Sequence, residues 1–202
     1  MTLETAMPDA LTLDPRRTAL VLIDLQHGIL QMPVAPHAAP DVLARAVRLA
    51  DALRAAGGTV VLVNVAFAAD GADVLVQPRD MALNVNRAPG WERLAPELGA
   101  HPGDVRITKH QWGAFYGTEL DLQLRRRGVT TIAIGGISTN FGVESTARDA
   151  FERSYALVFV EDAMAAMSAE AHAFACTTIF PRLGRVRATA DVLNAIAAAP
   201  KA

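Results

Sequence analysis

The chain has 202 residues, of which 51% are hydrophobic and 20% are charged, and its formal net charge at pH 7 is −2. This composition is typical of a globular fold and excludes a disordered or collagen-like chain. The nearly balanced charge offers no basic surface for a nucleic acid or a membrane, so we expect neither as a partner. At this length we predict a single domain over residues 1–202, with a core at about 18–192.

Apolar runs of strand length recur along the chain and alternate with helical patterns. The predicted strands are residues 19–23, 60–65, 105–108, 130–134, 156–160 and 185–187. Most of these runs are apolar on both faces, which is typical of parallel strands that helices cover on each side. The longest runs are far shorter than the ~20 residues that a membrane span needs.

Helical patterns fill most of the intervals between the predicted strands. The predicted helices are residues 42–56, 118–127, 140–153, 168–180 and 191–199. Regular alternation of strand and helix predicts right-handed crossovers and a three-layer α/β/α sandwich around a mainly parallel sheet of about six strands. Residues 66–103 show no periodicity, and a long irregular segment in a compact domain is usually functional, for instance as a lid.

Polar residues follow several predicted strands at their carboxyl ends, where open α/β sheets bind ligands. They are Asp24, Asn64, Lys109, Asp162 and the turn at residues 136–140. Asp24 ends an otherwise apolar strand, so we expect a partly desolvated carboxyl group with a raised pKa, suited to general acid or base catalysis. A helix cap or a structural hydrogen bond is the alternative for Asp24. Lys109 either controls the charge of Asp24 or is a surface residue at the start of a loop.

The segment 135–150 runs from a predicted strand into a predicted helix through a tight turn. Backbone N–H groups at such a helix start favour negative charge in the adjacent cleft. The chain contains neither of the glycine-rich patterns that bind nucleotide phosphates, GxxxxGK[ST] and GxGxxG. The turn is therefore a candidate site for a small anion rather than for a nucleotide.

Together these features resemble the isochorismatase-like hydrolase family of the cysteine hydrolase superfamily. The resemblance covers about residues 18–192 and is carried by Asp24, by Lys109 within the segment 108–115, and by residues 137–150. The family usually uses an Asp–Lys–Cys triad, in which the cysteine attacks an amide carbonyl. Gly142 stands at the position of that cysteine, and a glycine cannot act as a nucleophile. The one cysteine of the chain, Cys176, lies inside a predicted helix and fits a buried core residue.

The resemblance implies a hydrolase with a different mechanism, because authentic isochorismatases also carry glycine at this position and cleave a vinyl ether. We therefore expect acid-catalysed hydrolysis of a small anionic metabolite, with Asp24 as the general acid and Lys109 orienting it. Water would attack from space left by Gly142. The expected substrate-binding residues are Trp112, Phe115, Tyr116, Ile137, Ser138 and Phe141, and a cis peptide bond is expected between Ile137 and Ser138. The alternatives are an amide or ester hydrolase that uses water activated by Asp24, and a non-catalytic binding protein.

We expect no metal and no cofactor. The nicotinamidase branch of the family has an Asp-x-His metal motif after the second strand, whereas here Asp70 and Asp73 have no neighbouring histidine, and the five histidines lack ligand spacing. We expect a homodimer or larger homo-oligomer, because helices such as 42–56 and 191–199 are rich in alanine and the family is commonly oligomeric. A single cysteine and the lack of a signal-peptide pattern predict a cytoplasmic protein.

Overall fold

The computed structural model describes residues 10–81, 88–99 and 101–200. Within them, six strands form one sheet in the order β3-β2-β1-β4-β5-β6, and each adjacent pair is parallel. The strands are β1 (Thr18–Ile23), β2 (Thr59–Val65), β3 (Val105–Lys109), β4 (Thr131–Ile137), β5 (Ala156–Ala165) and β6 (Arg185–Arg187). All six predicted strands are therefore present.

Seven α-helices accompany the strands in the described residues. They are α1 (His27–Leu30), α2 (Ala39–Ala55), α3 (Leu120–Arg126), α4 (Glu144–Glu152), α5 (Ala169–Phe174), α6 (Phe180–Leu183) and α7 (Thr189–Ala197). Short 3-10 turns lie at Pro15–Arg17 and Pro96–Leu98, and π-helical turns at Thr139–Val143 and Ala175–Ile179. None of the described helices combines the length and the hydropathy that crossing a membrane requires.

The helices cover both faces of the sheet, which confirms the predicted three-layer sandwich. Leu20 and Leu22 of β1 face one core with α2 and α7, whereas Val21 and Ile23 face a second core with α3, α4 and α6. Every residue of β1 is buried, and full burial of a leucine or valine side chain stabilises a fold by about 1.5–3 kcal/mol. The central strand is thus held rigidly from both sides.

Several predicted helix boundaries differ from the structure, and two of the differences have a local reason. Helix α2 begins at Ala39, earlier than predicted, because Pro40 lies in the first turn, where its missing N–H needs no partner. The predicted end of a helix at residue 180, directly before Pro181, is wrong. The chain passes through the π-helical turn Ala175–Ile179 and continues as α6, with Pro181 again in a first turn.

The strand order creates one crevice at the carboxyl edge of the sheet. Strands β1 and β4 are neighbours, yet the strands that follow them along the chain extend to opposite sides of the pair. Ligands of open α/β sheets bind at such a reversal point. Asp24 directly follows β1 and Ser138 directly follows β4, so the topology places both beside this crevice.

Candidate active site

Asp24 leaves β1 in an unusual backbone conformation. Its φ is 54°, a left-handed value that few residues other than glycine adopt, although Asp and Asn tolerate it best. Its N–H donates to the carbonyl of Val63 at 2.9 Å, and its own carbonyl accepts from the N–H of Gln26 at 2.8 Å. These bonds hold the turn in place and keep the Asp24 side chain at the carboxyl edge, where only 6% of the residue is exposed.

Lys109 ends β3 and reaches Asp24 across the edge of β2. Its Nζ donates to Oδ2 of Asp24 at 2.7 Å and to the carbonyl of Gln111 at 3.0 Å. The lysine is itself buried. The other carboxylate oxygen, Oδ1 of Asp24, is buried and has no hydrogen-bond partner in the described part of the chain. A buried polar atom without a partner is costly, and a catalytic role or a bound water or ion can account for it.

Burial raises the pKa of the Asp24 carboxyl above its ordinary value, and the charge and hydrogen bond of Lys109 only partly offset this effect. Because Oδ2 already accepts from the ammonium group, Oδ1 is the oxygen that can carry a proton. The carboxyl group can therefore hold one proton on an oxygen that has no other hydrogen-bond partner in the described residues, which is compatible with a general acid.

The turn after β4 has the predicted cis peptide bond between Ile137 and Ser138. The Ser138 carbonyl accepts from the N–H groups of Phe141 and Val143, at 3.2 Å each, and Ser138 Oγ donates to Asn140 Oδ1 at 3.0 Å. Two of the backbone N–H groups that we expected to attract an anion are therefore used within the turn itself.

Gly142 brings the backbone of this turn against Asp24. A Cβ at this position would lie 2.9 Å from Ile23 Cγ2, 3.2 Å from Asp24 Oδ2 and 3.5 Å from the Trp112 carbonyl. Its neighbours therefore close around the position of the missing side chain, and water near Gly142 has room only in the cavity that the glycine lines. The glycine permits close packing of the turn on the buried carboxyl group.

A cavity of about 160 Å³ opens beside Asp24. For comparison, an engineered cavity of about 150 Å³ holds one benzene molecule. The ionisable residues that line it are Asp24, Arg79, Lys109 and His110. Apolar and aromatic side chains form most of the remaining wall, among them Met32, Phe67, Trp91 and Trp112. Lys109 is paired with Asp24 and His110 with Asp73, so among the described lining residues Arg79 is the basic side chain without a carboxylate partner, and the rest of the wall is largely apolar.

Most of the site residues proposed from the sequence meet at this cavity. Its lining includes Asp24, Lys109, Gly142, Trp112, Ile137, Ser138 and Phe141. The rings of Trp112 and Phe141 contact each other with centroids 4.8 Å apart.

Phe115 and Tyr116 do not line the cavity, which corrects the prediction. Gln111 Nε2 donates to the carbonyls of Gly113 and Tyr116 and curls this segment, so that Phe115 turns into the core. There Phe115 packs against Tyr155, with ring centroids 6.1 Å apart. Tyr116 is 78% exposed.

Two other strand-end residues also have structural roles. Asn64 bonds to the Glu92 carbonyl and to the Thr108 hydroxyl. Asp162 accepts from both the N–H and the hydroxyl of Thr189 and pairs with Arg45. Neither Asn64 nor Asp162 is part of the cavity lining.

The irregular segment 66–103 contributes residues that the sequence analysis missed. Residues 82–87 and 100 lie outside the described part of the chain, but Phe67, Arg79 and Trp91 line the cavity. The segment has no periodicity from which to place them. One feature of the sequence could have marked Arg79 as a candidate for binding an anion, because it is the single lysine or arginine between residues 66 and 86.

A second group of titratable side chains lies outside the cavity. Nitrogen atoms of His37 and His172 and a carboxylate oxygen of Glu161 all lie within 4.8 Å of one another, an arrangement that could hold a metal ion. The sequence analysis missed it because the residues are far apart along the chain. At the position of the nicotinamidase motif, Asp73 instead pairs with His110 Nδ1 at 3.2 Å.

Comparison with known proteins gives consistent matches over nearly the whole chain. The isochorismatase domain model matches residues 18–191. The chain is 50% identical over 187 residues to the uncharacterized isochorismatase family protein YecD of Escherichia coli O157:H7. The aligned residues cover 92% of this chain and 100% of that protein.

Solved structures match with the same fold. An isochorismatase family protein from Burkholderia thailandensis is 49% identical with a TM-score of 0.88, covering 92% of this chain and 98% of that one. A cysteine hydrolase from Pseudomonas syringae pv. phaseolicola 1448A is 27% identical with a TM-score of 0.80, covering 94% of this chain and 97% of that one.

Proposed function

The chain belongs to the isochorismatase family and is a hydrolase, and from this premise we propose that it hydrolyses a small anionic vinyl ether by acid catalysis, without a thiol nucleophile. The observation that carries the proposal is the buried carboxyl of Asp24, whose Oδ1 has no partner in the described residues. Gly142, at the position where the family resemblance expects the cysteine, supplies no nucleophile.

The proposed reaction begins with proton transfer from Asp24 to the terminal alkene carbon of the vinyl ether. The π electrons form the new C–H bond and leave an oxocarbenium ion. Water adds to the carbon that bears the ether oxygen in this ion and returns a proton to the Asp24 carboxylate, which gives a hemiketal. Collapse of the hemiketal breaks the bond between this carbon and the original ether oxygen. The hydroxyl proton of the hemiketal moves to the departing oxygen, so the products are a ketone and an alcohol. A positioned general acid accelerates such a step by roughly 10²–10⁴-fold.

Lys109 has two tasks in this mechanism. Its ammonium group, 2.7 Å from Oδ2, stabilises the carboxylate that forms when Asp24 gives up its proton. Lysine has three N–H donors, and the contacts with Asp24 and Gln111 use two of them. The third is available for an anionic group of the substrate.

The substrate class follows from the lining of the cavity. Arg79 and Lys109 provide cationic groups, while Phe67, Trp91 and Trp112 provide aromatic surface. A carboxylate attached to the vinyl ether and a cyclic alcohol as its other half would match these two kinds of surface. We therefore propose a 1-carboxyvinyl ether of a small cyclic alcohol as the substrate class.

Hydrolysis of an amide or ester by water that Asp24 activates is the second candidate. The short contact between Lys109 and Asp24 favours it, because an ion pair stabilises the ionised carboxylate that a general base requires. The burial of Asp24 favours the protonated acid instead. The two mechanisms need opposite protonation states of one residue, so they are separable by experiment.

Hydrolysis in D₂O tests the proposal directly. We expect a 1-carboxyvinyl ether of a cyclic alcohol to yield a 2-keto acid with one deuterium in its methyl group, observed by NMR, at a rate proportional to the concentration of the protein. The 2-keto acid itself, incubated with the protein in D₂O, controls for later exchange. Turnover of amides or esters with none of vinyl ethers would support the second candidate. Binding of small anions without turnover of any of these classes would indicate a non-catalytic protein.

Three expectations about the whole protein remain predictions. We propose a single domain over residues 1–202, a homodimer or larger homo-oligomer, and a cytoplasmic location. Exposed apolar side chains such as Val76, Met81 and Phe174 are compatible with a subunit interface. Sedimentation at micromolar concentration tests the assembly, and a monomer alone would contradict it.

A further inference from the structure

We propose that His37, Glu161 and His172 form a binding site for a divalent transition-metal ion, with Zn²⁺ as the best match. None of the three residues lines the catalytic cavity. They come from three different parts of the fold: His37 from the connection between α1 and α2, Glu161 from β5 and His172 from α5.

The distances between the three side chains are close to those of a metal site. Glu161 Oε1 lies 3.0 Å from His37 Nε2 and 2.8 Å from His172 Nε2. Ligands about 2.0–2.1 Å from a tetrahedral Zn²⁺ lie about 3.3 Å from each other. Each histidine nitrogen therefore needs to move only a few tenths of an ångström away from Glu161 Oε1 to reach this spacing. The two histidine nitrogens already lie within 4.8 Å of each other.

The backbone holds each ligand in place. Ala35 and Ala166 exchange N–H to carbonyl bonds of 2.8 and 2.9 Å, which clamp the segment before His37 to the chain just after β5. In β5 the register with β4 shifts between Phe159 and Met164, and Glu161 lies within this bulge. Such prior positioning matters because the cost of ordering ligands reduces metal affinity.

His172 also has the supporting contact that metal-binding histidines usually show. Its Nδ1 lies 2.9 Å from the Thr139 hydroxyl, which fixes the orientation of the ring and leaves Nε2 facing Glu161. Partners of this kind fix the tautomer of a ligating histidine. Thr139 directly follows Ser138 of the cavity lining, so an ion here would stabilise the turn behind the catalytic site.

The chemistry of the ligands indicates the class of the ion. Two imidazole nitrogens and one carboxylate oxygen suit Zn²⁺ and its first-row neighbours, whereas Mg²⁺ and Ca²⁺ prefer sites made of oxygen atoms alone. The His172 side chain is only 3% exposed, but those of His37 and Glu161 are 24% and 35% exposed. The ion can therefore enter from solvent, and water can complete its coordination.

Zinc binding to tag-free protein, stripped of metal with a chelator and titrated by calorimetry at neutral pH, tests this inference. We expect one Zn²⁺ per chain and a Tm that rises with Zn²⁺ concentration, because the ion binds the folded state. Glu161→Gln and His172→Ala should each weaken binding roughly tenfold or more. His101→Ala is the matched control, because His101 is exposed and distant in sequence from the three ligands.

The isosteric Glu161→Gln variant keeps the test valid if His172→Ala destabilises the fold. Circular dichroism and thermal denaturation without metal establish that each variant is folded. Equal Zn²⁺ affinity of the wild type and the folded Glu161→Gln variant would overturn the inference, as would a wild type that binds no Zn²⁺. Loss of affinity on His101→Ala alone would also contradict it.

Discussion

Lys109 Nζ donates to Oδ2 of Asp24 at 2.7 Å, and Oδ1 of the same buried carboxyl group has no partner in the described residues. Two opposing influences therefore act on one side chain. Burial favours the protonated acid, and the lysine favours the carboxylate, with burial the larger effect on the pKa. A proton on Asp24 is thus held on the side of the carboxyl group away from the lysine.

The pH dependence of hydrolysis should report this balance. A general acid works only when protonated, so we expect kcat/KM for a vinyl ether to fall as the pH rises through the pKa of Asp24. Because burial raises that pKa, the fall should lie above about 3.9, the ordinary value for aspartate. Initial rates across the pH range, corrected for uncatalysed hydrolysis, measure it. A rate that instead climbs with pH through this range would point to Asp24 acting as a base.

Gly142→Ala should lower both activity and stability. The added methyl group would meet Ile23 Cγ2 at 2.9 Å and Asp24 Oδ2 at 3.2 Å, so the turn or the carboxyl group must move. We expect a loss of about 1–3 kcal/mol in the free energy of unfolding, as is common for overpacking, and a clear drop in kcat. Urea denaturation and initial rates measure the two effects. Gly103→Ala is the control, because a Cβ at Gly103 meets nothing within 4 Å.

Arg79→Gln should raise KM for an anionic substrate roughly tenfold and have a smaller effect on kcat. The reason is that a charge-assisted hydrogen bond to the substrate contributes about 1.5–3 kcal/mol to binding. Arg79 lines the cavity, and its guanidinium donates to the carbonyls of Leu75 and Gln77. Arg48→Gln, at an exposed position of α2, controls for the loss of one positive charge. Unchanged KM in the Arg79 variant would remove Arg79 from substrate binding.

Cys176 should be dispensable for catalysis. Burial and the charge of Glu161 raise the pKa of its thiol to about 12, so the reactive thiolate is scarce at neutral pH. Its Sγ lies 3.5 Å from His172 Nε2, and it is not part of the cavity lining. We expect Cys176→Ser and treatment with iodoacetamide to leave kcat unchanged. Loss of turnover in a variant that folds normally would show that the thiol takes part.

Most of the fold and the centre of the site were predictable from sequence. Continuous apolar runs identified the parallel strands, and the convergence of strand ends at one edge brought Asp24 and Lys109 together. The family resemblance then added the turn with Gly142. These features depend on local periodicity and on general rules of topology, which a single sequence carries.

The parts of the site that the sequence did not predict depend on side-chain directions, which a single sequence does not reveal. Phe115 and Trp112 are three residues apart in one irregular segment, yet one packs into the core and the other lines the cavity. The cluster of His37, Glu161 and His172 exists only because a clamped loop, a bulge and a helix meet in space. No spacing along the chain indicates such a meeting.

Replacement of Asp24 by asparagine tests the proposed mechanism most directly. Asparagine keeps the size of the side chain and an oxygen that can accept from Lys109, but it has no carboxylic proton to donate. The measurements are kcat for a 1-carboxyvinyl ether and the Kd of a non-hydrolysable anion of the same shape. We expect kcat to fall by roughly 10²-fold or more while Kd stays nearly constant. A folded variant that hydrolyses this substrate as fast as the wild type would contradict the mechanism.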